Sequence, residues 1–194
     1  MKKRNPILIL AGILFAFSPA MAQKDSSGIY RTATDFQQRK LTYAINYKTE
    51  KHKIRRNILL KGGEIKVRHN GRTYTLDKNA TYGFKDTNGK VFRFVGGKEY
   101  LLLNPDEPIL LYEYKHIAHS PRETDKYPPE YYFSKDAFSA PQPLTKSNLK
   151  AAFPDNHKFH DGLDAAMAYD SGLHAYDSFH KMYKVNWILR NAGK

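Results

Sequence analysis

The stretch Glu64-Ile-Lys-Val-Arg-His-Asn-Gly-Arg-Thr-Tyr-Thr-Leu76 decides the fold. Apolar and polar residues alternate on both sides of Asn70-Gly71, a dipeptide that accepts the positive φ angles of a two-residue hairpin turn. With that turn in place, Val67 faces Tyr74 and Ile65 faces Leu76, while Lys66 faces Thr75 and Arg68 faces Thr73. One face is apolar and the other polar, as a half-buried antiparallel pair requires.

The same grammar extends in both directions. Further turn dipeptides stand at Gly62-Gly63, Asn88-Gly89 and Gly96-Gly97. Around Asn88, a two-residue turn would set Phe84 opposite Arg93, whereas a three-residue loop with Gly89 as a bulge sets Phe84 opposite Phe92 and Tyr82 opposite Phe94. The second register groups the aromatics, and a one-residue slip would scatter them, so it is the one expected. Strands are expected at Glu99–Leu103, Ile109–Ile117 and Glu130–Ser134, with the Pro-bracketed loop Asn104–Pro108 and a longer connection His119–Pro129 between them. Upstream, Leu41, Tyr43, Ile45 and Tyr47 read as one strand face and Thr42, Ala44 and Asn46 as the other. A short helix through Phe36–Lys40, capped by Thr32 or Thr34, precedes them, and Lys48–Arg56 follows as a charged link.

Past Phe138 the period changes. Pro141 and Pro143 mark a boundary, and Thr145 is a good N-cap for a helix Lys146–Phe153. Pro154-Asp155 ends that helix and, with Asp155 as cap, starts a second carrying Phe159, Leu163 and Ala166 or Met167 at helical spacing. Gly172 interrupts it, and Leu173–Leu189 reads as a third helix with the stripe Leu173, Tyr176, Phe179 or His180, Tyr183 and Trp187. The expected class is α+β: an antiparallel β-meander of about eight strands, open sheet or partial barrel, followed by two or three C-terminal helices. The short helix and meander occupy 23–140, and the helical segment 141–194 packs on the sheet as part of the same unit.

The N-terminus reads as a secretory signal over residues 1–22. Lys2, Lys3 and Arg4 precede the apolar run Ile7–Phe17, Ser18-Pro19 breaks it, and Ala20-Met21-Ala22 offers a small-x-small cleavage site. The run is too short to span a bilayer, which needs about 20 residues. No transmembrane segment is expected after its removal, and the destination is the periplasm or the extracellular space. There is no cysteine among the 194 residues, which closes disulfides, Cys-ligated metals, thiol nucleophiles and a lipoprotein anchor. The formal net charge of +13 falls to +10 with the loss of Lys2, Lys3 and Arg4. Such a balance suits anionic partners as well as plain solubility.

Two stretches stand out as a pair: Gly28-Ile-Tyr-Arg-Thr-Ala-Thr-Asp-Phe36, and Pro143-Leu-Thr-Lys-Ser-Asn-Leu-Lys-Ala-Ala-Phe-Pro-Asp-Asn-His-Lys-Phe-His160. On these the chain resembles a family of small exported bacterial proteins of uncharacterised function. The resemblance implies export and a single structural unit, and it implies no chemistry.

For chemistry, the densest group is His157, His160, Asp161 and Asp164, which at helical spacing share one face and suit a divalent metal; His174, Asp177 and His180 are candidates to complete the site. The pattern is not a His-Glu-x-x-His motif, and a helix capped by Asp155 with the rest on its solvated side accounts for it more simply. Tyr127, Tyr131 and Tyr132 cluster beside prolines; Tyr131 and Tyr132 point to opposite faces of a strand, so one of them is available to stack on a sugar or a peptide. Lys53, Arg55 and Arg56 belong to the densest basic run and suit an anionic polymer, without the aromatic signature of specific nucleic-acid recognition. No Gly-x-Ser-x-Gly elbow or phosphate loop is present. The expectation is a non-enzymatic envelope or secreted protein, without cofactor, that binds an anionic polymer, a glycan or an envelope protein. The alternative is a metal-dependent hydrolase using His157, His160 and Asp161.

Overall fold

The computed structural model describes residues 26–50, 53–56, 62–116 and 127–193. The signal segment 1–22 and most of the His119–Pro129 connection lie outside them. Strand β1 (Ser26–Tyr30) leads into a one-turn helix α1 (Ala33–Gln37). Thr32 caps it with a reciprocal box: its hydroxyl accepts from Asp35 N–H (3.0 Å) while the Asp35 carboxylate accepts from Thr32 N–H (3.1 Å). Then follow β2 (Thr42–Asn46), β3 (Lys53–Arg55), β4 (Glu64–His69), β5 (Arg72–Asp77), β6 (Gly83–Lys85), β7 (Val91–Val95), β8 (Lys98–Leu102), β9 (Leu110–Tyr114), β10 (Glu130–Ser134) and the two-residue β11 (Gln142–Pro143).

Eight of these strands form one open antiparallel sheet in the order β11-β10-β9-β8-β7-β6-β1-β2, and β3-β4-β5 form a separate small sheet. The fold is α+β, with a meander followed by helices, as the sequence pattern leads one to expect. The β4–β5 hairpin pairs Val67 with Tyr74 and Ile65 with Leu76 about a turn in which Asn70 (φ 47°) and Gly71 (φ 75°) are both left-handed. The β6–β7 connection is the three-residue loop with a bulged Gly89 (φ 79°), and Phe84 faces Phe92. Asp86 fixes that loop by accepting from the N–H groups of Asn88 (2.9 Å) and Lys90 (2.8 Å).

Three expectations need correction. Leu41 and Tyr43 do not share a face: Leu41 packs with Tyr30 and Phe36, whereas Tyr43 joins Ile65 and Val67. Against β1, strand β2 carries one extra residue, because Ser27 pairs with Ile45 but Ile29 pairs with Thr42. Tyr43 takes φ 54° at this bulge and reverses the alternation. Second, the charged link contains strand β3, which pairs Ile54 with Val67 and so completes the small sheet.

Third, Leu173–Leu189 is not one helix. Helix α2 (Lys146–Ala152) is capped by Thr145 as expected, and α3 (His157–Ala166) is capped by Asn156 rather than Asp155, its side chain accepting from Phe159 N–H (3.0 Å). A 3₁₀ turn Asp170–Gly172 then precedes a miniature hairpin, β12 (Tyr176–Asp177) with β13 (Met182–Tyr183), and only Lys184–Ala192 is the last helix, α4. Asp177 breaks the helical run, because its carboxylate accepts from the N–H groups of Phe179 (2.9 Å) and His180 (3.0 Å), a local alternative to helical bonds.

Both faces of the main sheet carry buried side chains. On the outer face, helices α2–α4 cover Ile109, Leu111 and Phe133 with Leu149, Phe159, Leu163, Val185 and Ile188. Further along that face, the small sheet covers Ile29, Phe84 and Phe94 with Ile65 and Val67. Between them lies a part-buried ion triad: Glu99 meets the buried Lys78 (3.1 Å) and the more exposed Arg56 (3.4 Å), whose cations lie over the rings of Phe94 and Phe92. Lys78 is only 3% exposed, so its pairing with Glu99 keeps a buried charge compensated.

The inner face holds Tyr30, Val91, Tyr100, Leu102, Leu110 and Tyr112, closed at one side by Phe36, Leu41 and Ala137. There Arg93 of β7 lies 3.4 Å from the hydroxyl of Ser134 on β10. On a flat sheet three strand spacings would hold these strands about 14 Å apart, beyond the reach of the two side chains. The sheet is therefore strongly curled around this face.

Candidate functional site: the tyrosine-lined inner face

Side chains at alternate positions of β8, β9 and β10 project onto the inner face. The registers Leu102 with Tyr112 and Tyr112 with Tyr132 bring Tyr100, Tyr114 and Tyr132 together. The Tyr100 ring lies 5.2 Å from Tyr114 and 5.1 Å, edge to face, from Tyr132. The chain of rings continues outward through His116 (4.9 Å from Tyr114) to Tyr127 (5.5 Å from His116), which is exposed. Lys98 places its ammonium 5.0 Å from the Tyr114 ring centre.

Glu130 organises this cluster. Its Oε1 lies 2.8 Å from His116 Nε2, and its Oε2 accepts from the Tyr132 hydroxyl at 2.6 Å. Hydrogen bonds from His116 and Tyr132 hold the Glu130 carboxyl below its ordinary value. The same bond to Glu130, aided by burial, pushes the Tyr132 phenol up to about 12. Tyr132 therefore stays a hydrogen-bond donor at neutral pH, and its orientation is fixed.

Deeper in the face lies Arg93, 7% exposed. Its Nη1 donates to the Tyr112 hydroxyl (2.8 Å), and its guanidinium lies over the rings of Tyr82 (4.9 Å) and Tyr112 (5.7 Å). The Tyr112 and Ser134 hydroxyls are 2.9 Å apart, and Ser134 donates to the Asp136 carbonyl (2.6 Å). Among the described residues Arg93 forms no ion pair with a carboxylate; tyrosine faces and hydroxyls hold its charge. Burial pushes the Tyr82 phenol up, with the neighbouring Tyr112 adding to it.

Of the tyrosines singled out by sequence, Tyr127 and Tyr132 belong to this cluster. Tyr131 faces the other way, stacking on His174 at 3.8 Å under the helices. Tyr100, Tyr114, His116, Glu130, Lys98 and Arg93 escaped the sequence reading. Their shared parity along each strand was visible, but the register across the long β9–β10 connection was not.

The basic run disperses. Arg55 is exposed on β3, Arg56 is held by Glu99, and of Lys53 the strand pairing with Arg68 is described but not the side chain. The His and Asp residues of the C-terminal segment have separate partners. His160 Nε2 lies 2.9 Å from the Phe153 carbonyl, Asp164 accepts from Lys150 (2.6 Å), and His180 pairs with Asp177 (2.7 Å). The His157 and His160 rings stand 5.9 Å apart, and Asp161 is exposed. Among the described residues no group of three or more His, Asp or Glu side chains is placed to hold a metal ion. His157 instead borders an open groove of ≈ 590 Å³ with Phe153, Lys158 and Lys135.

No protein-family model, no curated protein and no solved structure matches the chain. Among the described residues, no helix is long and apolar enough to cross a membrane.

Proposed function

We propose that this is a non-enzymatic binding protein, exported to the periplasm or beyond the cell, which holds a saccharide against the tyrosine cluster of its inner face. The observation that carries this reading is the set of Tyr114, His116, Tyr127 and Tyr132 gathered around the single carboxylate of Glu130. Tyrosine rings offer flat apolar surfaces that match the C–H faces of a pyranose, and their hydroxyls can exchange hydrogen bonds with those of the sugar. Each Glu130 oxygen has one partner and retains a lone pair to accept from a sugar hydroxyl. These side chains are already tied to one another, which lowers the entropy cost of binding.

Glycoside hydrolysis needs two carboxylates flanking the bond. Among the described residues the cluster contains one, since Glu113, next along β9, projects to the outer face beside Lys115 (2.9 Å). This favours binding over cleavage. Lys98 gives the rim a positive charge, suited to a saccharide that carries carboxylates.

The test is co-sedimentation of the purified protein with insoluble peptidoglycan sacculi, together with calorimetric titration against chitotetraose. Binding in either assay is expected, weakened roughly tenfold in Tyr114→Ala/Tyr132→Ala by the loss of two ring contacts. The reading fails if neither saccharide binds. It fails equally if the double variant, with unchanged circular dichroism, binds as tightly as the parent.

A further inference from the structure

The miniature hairpin β12–β13 packs Tyr183 at its base against the helix-covered core and carries its loop outward. Its loop carries Phe179, 86% exposed, and Tyr176 on its first strand is exposed as well. A bulky ring held in water is costly, and a free loop would fold it back. Here the loop is fixed. One Asp177 carboxylate accepts from Phe179 N–H and His180 N–H and pairs with the His180 ring, while Lys181 is held at φ 52°. The base is fixed too: Lys184 N–H donates to the Ala175 carbonyl (2.9 Å), and Tyr183 N–H points to the Glu107 carboxylate (3.2 Å).

Aromatic rings continue from tip to base. Phe179 meets His180 edge-on at 4.9 Å, His180 lies 4.9 Å from Trp187 on α4, and Tyr176 meets Tyr183 at 5.4 Å. Lys181 lies in the tip loop and Lys184 at the base of the hairpin, both exposed and without an ion pair among the described residues. Asp177, the acid nearest the tip, is engaged by the loop itself. An apolar tip, Tyr and Trp behind it and lysines at the flank match the layering of an anionic bilayer surface. In that arrangement Phe179 enters the acyl boundary, Tyr176 lies at headgroup depth, Trp187 backs the loop through His180 while packing partly buried on the core, and the ammonium groups meet lipid phosphates.

We propose that the β12–β13 hairpin is a membrane-surface anchor that inserts Phe179 into bilayers rich in anionic phospholipid. The net positive charge, +13 for the full chain and +10 without Lys2, Lys3 and Arg4, adds long-range attraction to the same surface. The proposal is independent of the saccharide reading, because the hairpin and the inner face share no residue.

Trp187 is the single tryptophan of the chain, so its fluorescence reports this site alone. The experiment titrates purified protein with vesicles of phosphatidylcholine, with and without about one-third phosphatidylglycerol, at low salt. Trp187 emission is expected to shift to shorter wavelength and the protein to co-sediment only with the anionic vesicles. Phe179→Ser, at an exposed position that leaves the core untouched, is expected to weaken binding roughly tenfold through loss of the buried ring. Lys181→Asn, which keeps a residue tolerant of positive φ, is expected to weaken it several-fold, with the loss fading as salt rises. Equal binding to neutral vesicles, no binding to either kind, or full binding by Phe179→Ser would each overturn the proposal.

Discussion

The side-chain amide of Asn186 on α4 completes both backbone hydrogen bonds of Ile109 at the head of β9. Its Oδ1 accepts from Ile109 N–H at 2.8 Å, and its Nδ2 donates to the Ile109 carbonyl at 2.9 Å. One helix residue thus substitutes for a neighbouring strand, and it is itself almost fully buried. Asn104 helps from the other side, donating to the same carbonyl (2.8 Å) and accepting from Leu111 N–H (2.6 Å).

Asn186→Ala should therefore cost more than a lost side chain. It leaves the Ile109 N–H buried without a partner, a penalty of about 1–3 kcal/mol on top of the lost packing. Urea denaturation is the measurement. Asn186→Asp keeps an acceptor for the Ile109 N–H but should not restore full stability, because it sets a buried carboxylate against the Ile109 carbonyl, to which it cannot donate. A loss below about 0.5 kcal/mol would mean that water replaces the amide.

Two glycines permit close approaches, one between helices and one between paired strands. A Cβ on Gly162 of α3 would come within 2.7 Å of Ile188 Cγ2 on α4, and one on Gly83 of β6 within 2.0 Å of the Phe92 carbonyl oxygen. Gly162→Ala is expected to cost about 1–3 kcal/mol, since Ile188 can shift only by disturbing its helix. Gly83→Ala is expected to be the more damaging, because its clash is with backbone in the adjacent strand. Comparing their thermal midpoints tests the order.

Asp136 provides the pH dependence. Its carboxylate accepts from the Ser139 hydroxyl (2.7 Å) and from the N–H groups of Ser139 (2.7 Å) and Phe138 (2.8 Å). The Ser139 hydroxyl, then its N–H, hold the carboxyl below its ordinary value. The folded state thus gives up this proton at lower pH than the unfolded chain, and stability rises with pH in between. The contribution is complete above the ordinary carboxyl range and lost as pH falls through the depressed folded value. Ser139→Ala should lower stability at pH 6 by less than about 1 kcal/mol, given the group's partial exposure. The deficit should vanish in strong acid, and a deficit that persists there would exclude this cause.

His160→Ala addresses the C-terminal histidines. The ring bonds to the Phe153 carbonyl at the end of α2, so its removal should destabilise the α2–α3 junction by about 1 kcal/mol. Chelator should leave the parent's melting curve unchanged, and elemental analysis should find less than one equivalent of bound metal. Stoichiometric metal that His160→Ala abolishes would reverse this assignment.

Much of the sheet was legible because its signals are local. Asn70-Gly71 and the Asp86–Gly89 loop prescribe both turn and register, and alternating side chains then fill the opposite strand. What escaped was set by distance or by a single competing bond. The bulge at Tyr43 depends on pairing with β1, and nothing within β2 announces it. Tyr176–Tyr183 carries a helical stripe, yet the Asp177 carboxylate captures two backbone N–H groups and converts the segment into a hairpin. The tyrosine cluster was half visible: Tyr127 and Tyr132 could be named, but Tyr100 and Tyr114 join them only once β8, β9 and β10 are placed side by side.

The outermost strands of the eight-stranded sheet have a further consequence. At one border β11 is two residues long and ends in Pro143, which has no N–H to offer; at the other, β2 is kinked by Tyr43. Neither border presents a straight row of free donors and acceptors to a passing chain. An open sheet of this width would ordinarily invite fibril growth, and here the capacity to recruit more strands is blocked at both margins.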